Sequence, residues 1–105
     1  MDNLQFPVFI EDLIENPRLL GNAAPGEWYK WLIENGYTPL PLSGGRLKGI
    51  PYEKGGGFII RWSGEYLLQY HPAPSRHNDK GAYFKLSNGK YGVRRFDLNG
   101  IEIFN

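Results

Sequence analysis

The sequence predicts an α+β domain, with N-terminal helices packed on one face of a four- to five-stranded antiparallel sheet. Three observations carry this expectation. Apolar residues recur at helical spacing in the first third of the 105-residue chain. A proline- and glycine-rich stretch, residues 37–57, follows them. From Phe58 onward, short apolar segments are separated by the turn signals Ser63-Gly64, Asn88-Gly89 and Asn99-Gly100. Residues 1–105 are therefore read as a single domain of three parts: 1–36 helical, 37–57 connecting, 58–105 an antiparallel meander.

Each element has its own signal. Phe9, Ile10, Leu13 and Ile14 share a helical face, with Pro7 near the start and Asn16-Pro17 at the end. The second helix is expected to begin at Pro25, a residue suited to a first helical position, and to stop at Gly36. Its core-facing stripe is Trp28, Trp31 and Leu32, widened by Tyr29 and Ile33. In the connection, short strand pieces are expected around Arg46–Ile50. Gly55-Gly56-Gly57 lacks the Gly-Lys-Ser/Thr ending of a phosphate-binding loop and reads as a flexible lead into a strand. The expected strands are Phe58–Trp62, Tyr66–His71, Tyr83–Ser87, Tyr91–Leu98 and Ile101–Phe104, with 72–81 as the long loop of the sheet.

Composition removes several functional classes. With no cysteine, disulfides, thiolate-zinc sites and cysteine nucleophiles are excluded. The acidic, proline-broken start is unlike a secretory signal, and no apolar run approaches the roughly 20 residues of a membrane span. A soluble monomer without a membrane partner is expected.

The net charge of +1 is unevenly distributed. Residues 1–43 carry two basic residues against six acidic ones, a balance of −4, whereas residues 44–105 carry ten against five, a balance of +5. Between Ser75 and Arg95 lie Arg76, Lys80, Lys85, Lys90, Arg94 and Arg95 against the lone acid Asp79, with Tyr83, Phe84 and Tyr91 among them. Cations interleaved with aromatics suit a polyanion whose bases stack. Both histidines, His71 and His77, fall in the same region and add groups that move protons near neutral pH. The combination points to a small nuclease acting on RNA.

Strand alternation sorts the candidates. Ala82, Phe84 and Leu86 point to the core, leaving Tyr83, Lys85 and Ser87 on the other face. Tyr66, Leu68 and Tyr70 share the core face of the preceding strand, leaving Leu67, Gln69 and His71 opposite. If these strands pair, His71, Gln69, Tyr83 and Lys85 meet on the open face, beneath a loop carrying Ser75, Arg76 and His77. Such a cluster matches metal-free RNA cleavage: one group removes the 2′-hydroxyl proton, another protonates the departing 5′-oxygen, and fixed cations stabilise the phosphorane. His71 and His77 are the base and acid candidates in either order. Lys85 and one of Arg76, Arg94 or Arg95 are expected to hold phosphate, and Tyr83 to donate a hydrogen bond or stack a base. Because the attacking hydroxyl belongs to the substrate, neither metal nor cofactor is called for. His71 and His77 also lack a third ligand at zinc-binding spacing.

The run from Gly55 to Gly100 resembles the C-terminal toxin domains of bacterial polymorphic toxins, the tips of LXG-type and filamentous-haemagglutinin-like proteins. The matching pieces are Leu68-Gln69-Tyr70-His71-Pro72, Ser75-Arg76-His77, Ala82-Tyr83-Phe84-Lys85 and Arg95-Phe96-Asp97-Leu98, within a similarity covering roughly residues 40–100. Two departures stand out: Arg76 occupies the place of a first loop histidine, and Asn78-Asp79-Lys80 lengthens the loop before Gly81. The resemblance implies a metal-independent ribonuclease of the broad barnase–EndoU–colicin–RelE group. It also implies catalytic His71 and His77, supporting Ser75 and Lys85, a cognate immunity protein, and delivery into the cytoplasm of a target cell.

Two other readings compete. In a non-catalytic nucleic-acid-binding module, Tyr83, Tyr91 and the basic residues only stack and neutralise charge. In a protein-interaction domain of antitoxin or accessory type, the basic face docks an acidic partner.

Overall fold

The computed structural model describes residues 5–79, 81–89 and 92–104. Two α-helical segments, α1 (Asp12–Glu15) and α2 (Pro25–Glu34), precede five strands: β1 (Phe58–Trp62), β2 (Tyr66–His71), β3 (Tyr83–Asn88), β4 (Gly92–Phe96) and β5 (Glu102–Ile103). Pro17–Asn22 and Tyr52–Lys54 form 3₁₀ turns. The strands make one antiparallel meander in the order β1-β2-β3-β4-β5. The expected α+β class and antiparallel sheet are thus observed. Among the described residues, no helix is long and apolar enough to cross a membrane.

Local chemistry explains both ends of α2. Pro25 is its first residue, and the Glu27 carboxylate accepts from the Ala24 N–H at 2.8 Å, satisfying one unpaired donor at that end. At the other end, the Gly36 N–H donates to the Ile33 carbonyl and the Tyr37 N–H to that of Leu32, the paired bonds of a Schellman motif. Gly36 sits at φ 88°, the left-handed conformation this stop requires.

The first helix is shorter than its apolar spacing suggests. Only one α-turn forms before Asn16, which leaves the helical conformation (φ −140°, ψ 73°) ahead of Pro17; the chain then continues as a 3₁₀ turn. Phe9 is 65% exposed and does not join Ile10 and Leu13 in the core, and Ile33 at the rim of the α2 stripe is half exposed.

One face of the sheet carries the core. Phe58, Ile60 and Trp62 of β1, Leu68 and Tyr70 of β2, Phe84 and Leu86 of β3 and Phe96 of β4 pack with Ile10, Leu13, Leu20, Trp28 and Leu32. Trp28 is fully buried, and its indole N–H donates to the Leu20 carbonyl at 3.1 Å. Trp28→Ala is expected to lower unfolding free energy by about 3–5 kcal/mol, read from urea denaturation.

The connection also differs from expectation. Residues 46–49 form a turn rather than strand pieces, and the strand-like contact is instead an isolated bridge between Leu40 and Ile59. Gly57 is buried, and a Cβ there would lie 2.1 Å from the Tyr70 carbonyl oxygen and 2.8 Å from Leu42 Cδ1. This glycine lets the connection lie against the sheet. Its effect is to hold residues 42–47 beside the C-terminal end of β2, where His71 stands.

Candidate active site

Register builds the site. On the face away from the helices, His71 of β2 stands opposite Tyr83 of β3, and Gln69 stands opposite Lys85, which stands opposite Arg95 of β4. The pairing follows from the core: once Tyr70 faces Phe84 and Phe84 faces Phe96, the intervening residues must line up on the other side.

The His71 and Tyr83 rings stack nearly parallel, centroids 4.7 Å apart and planes 2° apart. His77, from the loop after β2, packs edge-on against the same tyrosine at 5.9 Å. The two imidazoles expected to act together are therefore brought to one ring. Gln69 Oε1 lies 2.6 Å from His71 Nε2. A carbonyl oxygen only accepts, so in this arrangement Nε2 carries the proton and Nδ1 keeps the lone pair.

Electrostatics separate the histidines from ordinary ones. Burial first, then the positive charges of Lys85, Arg95 and His77, push His71 down from 6.5 to about 4, so its imidazole is neutral at neutral pH. His77 is also lowered, by burial and then by Arg95, Arg76 and Lys85. Lys85 is lowered by burial and by Arg95. Like charges facing across a strand pair are unfavourable, and Arg95 Nε is buried with no hydrogen-bond partner among the described residues. An anion settling here would relieve both.

A cleft of about 400 Å³ opens above His71 and Tyr83, between the loop at residues 42–47 and the loop at residues 72–77. Arg46 and Arg76 stand at it, and Arg46 Nη2 donates to the Pro74 carbonyl at 3.2 Å, joining the two walls. Sequence reasoning missed Arg46 because it lies outside the basic run at Ser75–Arg95. Its only sequence signal is the Gly44-Gly45 turn before it, which does not say where the turn lands.

Several expected site residues have other roles or positions. Tyr83 is only 4% exposed and is covered by the imidazoles, so it is unavailable to stack a base. Ser75 lines the cleft, but its hydroxyl donates to the Gly81 carbonyl and closes the loop. Arg94 points to the helix-bearing face, where it makes a two-pronged ion pair with Glu102 at 2.6 and 2.9 Å and lies over Phe96. It is not part of the cluster. Tyr91, expected to contact substrate, lies outside the described residues. Among the described residues, no three His, Asp or Glu side chains gather as a metal-ligand set.

Comparison with protein-family models, with curated proteins and with solved structures gives no match to this chain.

Proposed function

We propose that the protein is a metal-independent endoribonuclease of the bacterial toxin-domain type, cleaving RNA by attack of the 2′-hydroxyl. The observation that carries this reading is the packing of two imidazoles against one buried tyrosine, with Lys85, Arg95, Arg76 and Arg46 around them. His71, held neutral, is the base: Nδ1 takes the 2′-hydroxyl proton while Gln69 fixes the tautomer through Nε2–H. The alkoxide attacks phosphorus, and the charge gathering on the phosphorane meets Lys85 and Arg95. His77 is the acid, giving its proton to the departing 5′-oxygen. The products are a 2′,3′-cyclic phosphate and a 5′-hydroxyl.

A cognate immunity protein that covers the basic cleft, and action inside a target cell, are proposed together with this activity. They rest on the resemblance of Gln69-Tyr70-His71-Pro72 and Ser75-Arg76-His77 to toxin domains.

Cleavage of total cellular RNA by the purified protein in excess EDTA tests the reading, and its pH dependence tests the roles. Activity requires neutral His71, so it rises as pH climbs through the His71 pKa near 4. It also requires protonated His77, so it falls as pH climbs through a value below 6.5. The kcat/KM profile is expected to be a bell with an acidic maximum between these limits. A maximum above pH 7 would contradict the assignment, and absence of cleavage would defeat the reading.

A further inference from the structure

The histidines and sheet cations account for phosphate chemistry, but they leave most of the cleft unused. Its walls are Leu42 and Leu47 with Gly44 and Gly45 on one side, and Pro72 and Pro74 on the other. Leu42 is 5% exposed and fixed by contact with the backbone at Gly57, so that wall is anchored to the sheet. The Leu42 carbonyl accepts from the Gly49 N–H at 2.9 Å, closing the loop at its base. A Cβ placed on Gly44 or Gly45 would meet nothing within 4 Å, so there is open space beside this part of the lining.

We infer that this cleft is a nucleobase slot: the base beside the scissile phosphate inserts between the 42–47 wall and the Pro72–Pro74 wall. Its phosphate is met by Arg46 and Arg76. The inference deepens the ribonuclease reading and rests on it for its biological meaning.

Three features favour a base over other occupants. The volume falls in the range of small-molecule sites, and the aliphatic walls suit a flat apolar face. The arginines at the same cleft suit the anion that a nucleotide carries. Arg46 spends one of its five N–H donors on Pro74 in the described contacts, leaving others for phosphate oxygen.

Binding tests the slot independently of cleavage. The probes are the four ribonucleoside 3′-monophosphates, ribose 5-phosphate and inorganic phosphate, titrated into the whole chain with backbone amides followed by NMR. At least one mononucleotide is expected to bind about tenfold or more tightly than ribose 5-phosphate, shifting the amides of Gly44, Gly45 and Leu47. Leu47→Ser, which strips one wall, and Leu47→Trp, which fills the space, are each expected to reduce that margin to about threefold or less. Equal affinity for mononucleotides and ribose 5-phosphate, no binding by any probe, or shifts confined to residues outside 42–47 and 71–77 would overturn the inference. Failure of the ribonuclease reading shows differently: a mononucleotide would bind in the slot while RNA stays intact.

Discussion

Replacing His71 by alanine is expected to lower kcat/KM for RNA cleavage by about 10²–10⁴-fold, the range for loss of a general base. The residue is half-buried, stacked on Tyr83 and hydrogen-bonded to Gln69, and its neutral form at neutral pH is set first by burial and then by the charges of Lys85 and Arg95. None of these features helps a residue whose task is to bind phosphate, because a neutral imidazole attracts an anion weakly. They suit a base. The same substitution separates catalysis from binding. In a non-catalytic RNA-binding module, His71→Ala would change RNA affinity only modestly and there would be no cleavage to lose. Here affinity for a 2′-deoxy oligonucleotide, measured by fluorescence anisotropy, is expected to stay within about threefold of wild type while turnover collapses.

Lys85→Gln is expected to produce the second large effect, and to report it in two ways. The amide keeps most of the side chain's length but removes one of the two sheet charges, Lys85 and Arg95, proposed to meet the phosphorane. The kcat value should fall by about 10²–10³-fold, as when one stabilising donor is lost from an oxyanion site. The second report is on pH. Lys85 is the largest of the charges that hold the His71 pKa down, after burial itself. Without it the imidazolium is less repelled, so the ascending limb of the kcat/KM profile moves upward from near 4 towards 6.5. Burial persists in the variant, so the movement is partial. A lysine that only neutralises substrate at a distance would raise KM without moving that limb.

Much of this arrangement is legible in the chain. Tyr70, Phe84 and Phe96 demand the helix-packed face, and a period of two then places His71, Tyr83, Lys85 and Arg95 together on the other. The same rule separates Arg94 from Arg95. Neighbouring strand residues point to opposite faces, so Arg94 goes with Phe96 and finds Glu102. The alternation that separates the two arginines is already present in the sequence.

What alternation does not contain is cover. Tyr83 is on the expected face, but His77 from a loop of irregular backbone closes over it, and only tertiary packing turns an outward tyrosine into a buried one. Arg46 is illegible for a related reason: the Leu40–Ile59 bridge and the close approach at Gly57 join residues far apart in sequence. The first helix fails differently. Its apolar spacing is real and Asn16-Pro17 ends it as expected, yet the α-turn begins only at Asp12, so Phe9 lies before it and stays exposed.

In the proposed reaction the substrate's own 2′-hydroxyl, activated at His71, breaks the phosphodiester. The most direct measurement uses a DNA oligonucleotide containing a single ribonucleotide, incubated with the protein in excess EDTA, with product ends identified by mass spectrometry. Scission is expected only on the 3′ side of the ribonucleotide, leaving a 2′,3′-cyclic phosphate and a 5′-hydroxyl. Scission at deoxynucleotide linkages, or ends bearing a 5′-phosphate and a 3′-hydroxyl, would contradict it.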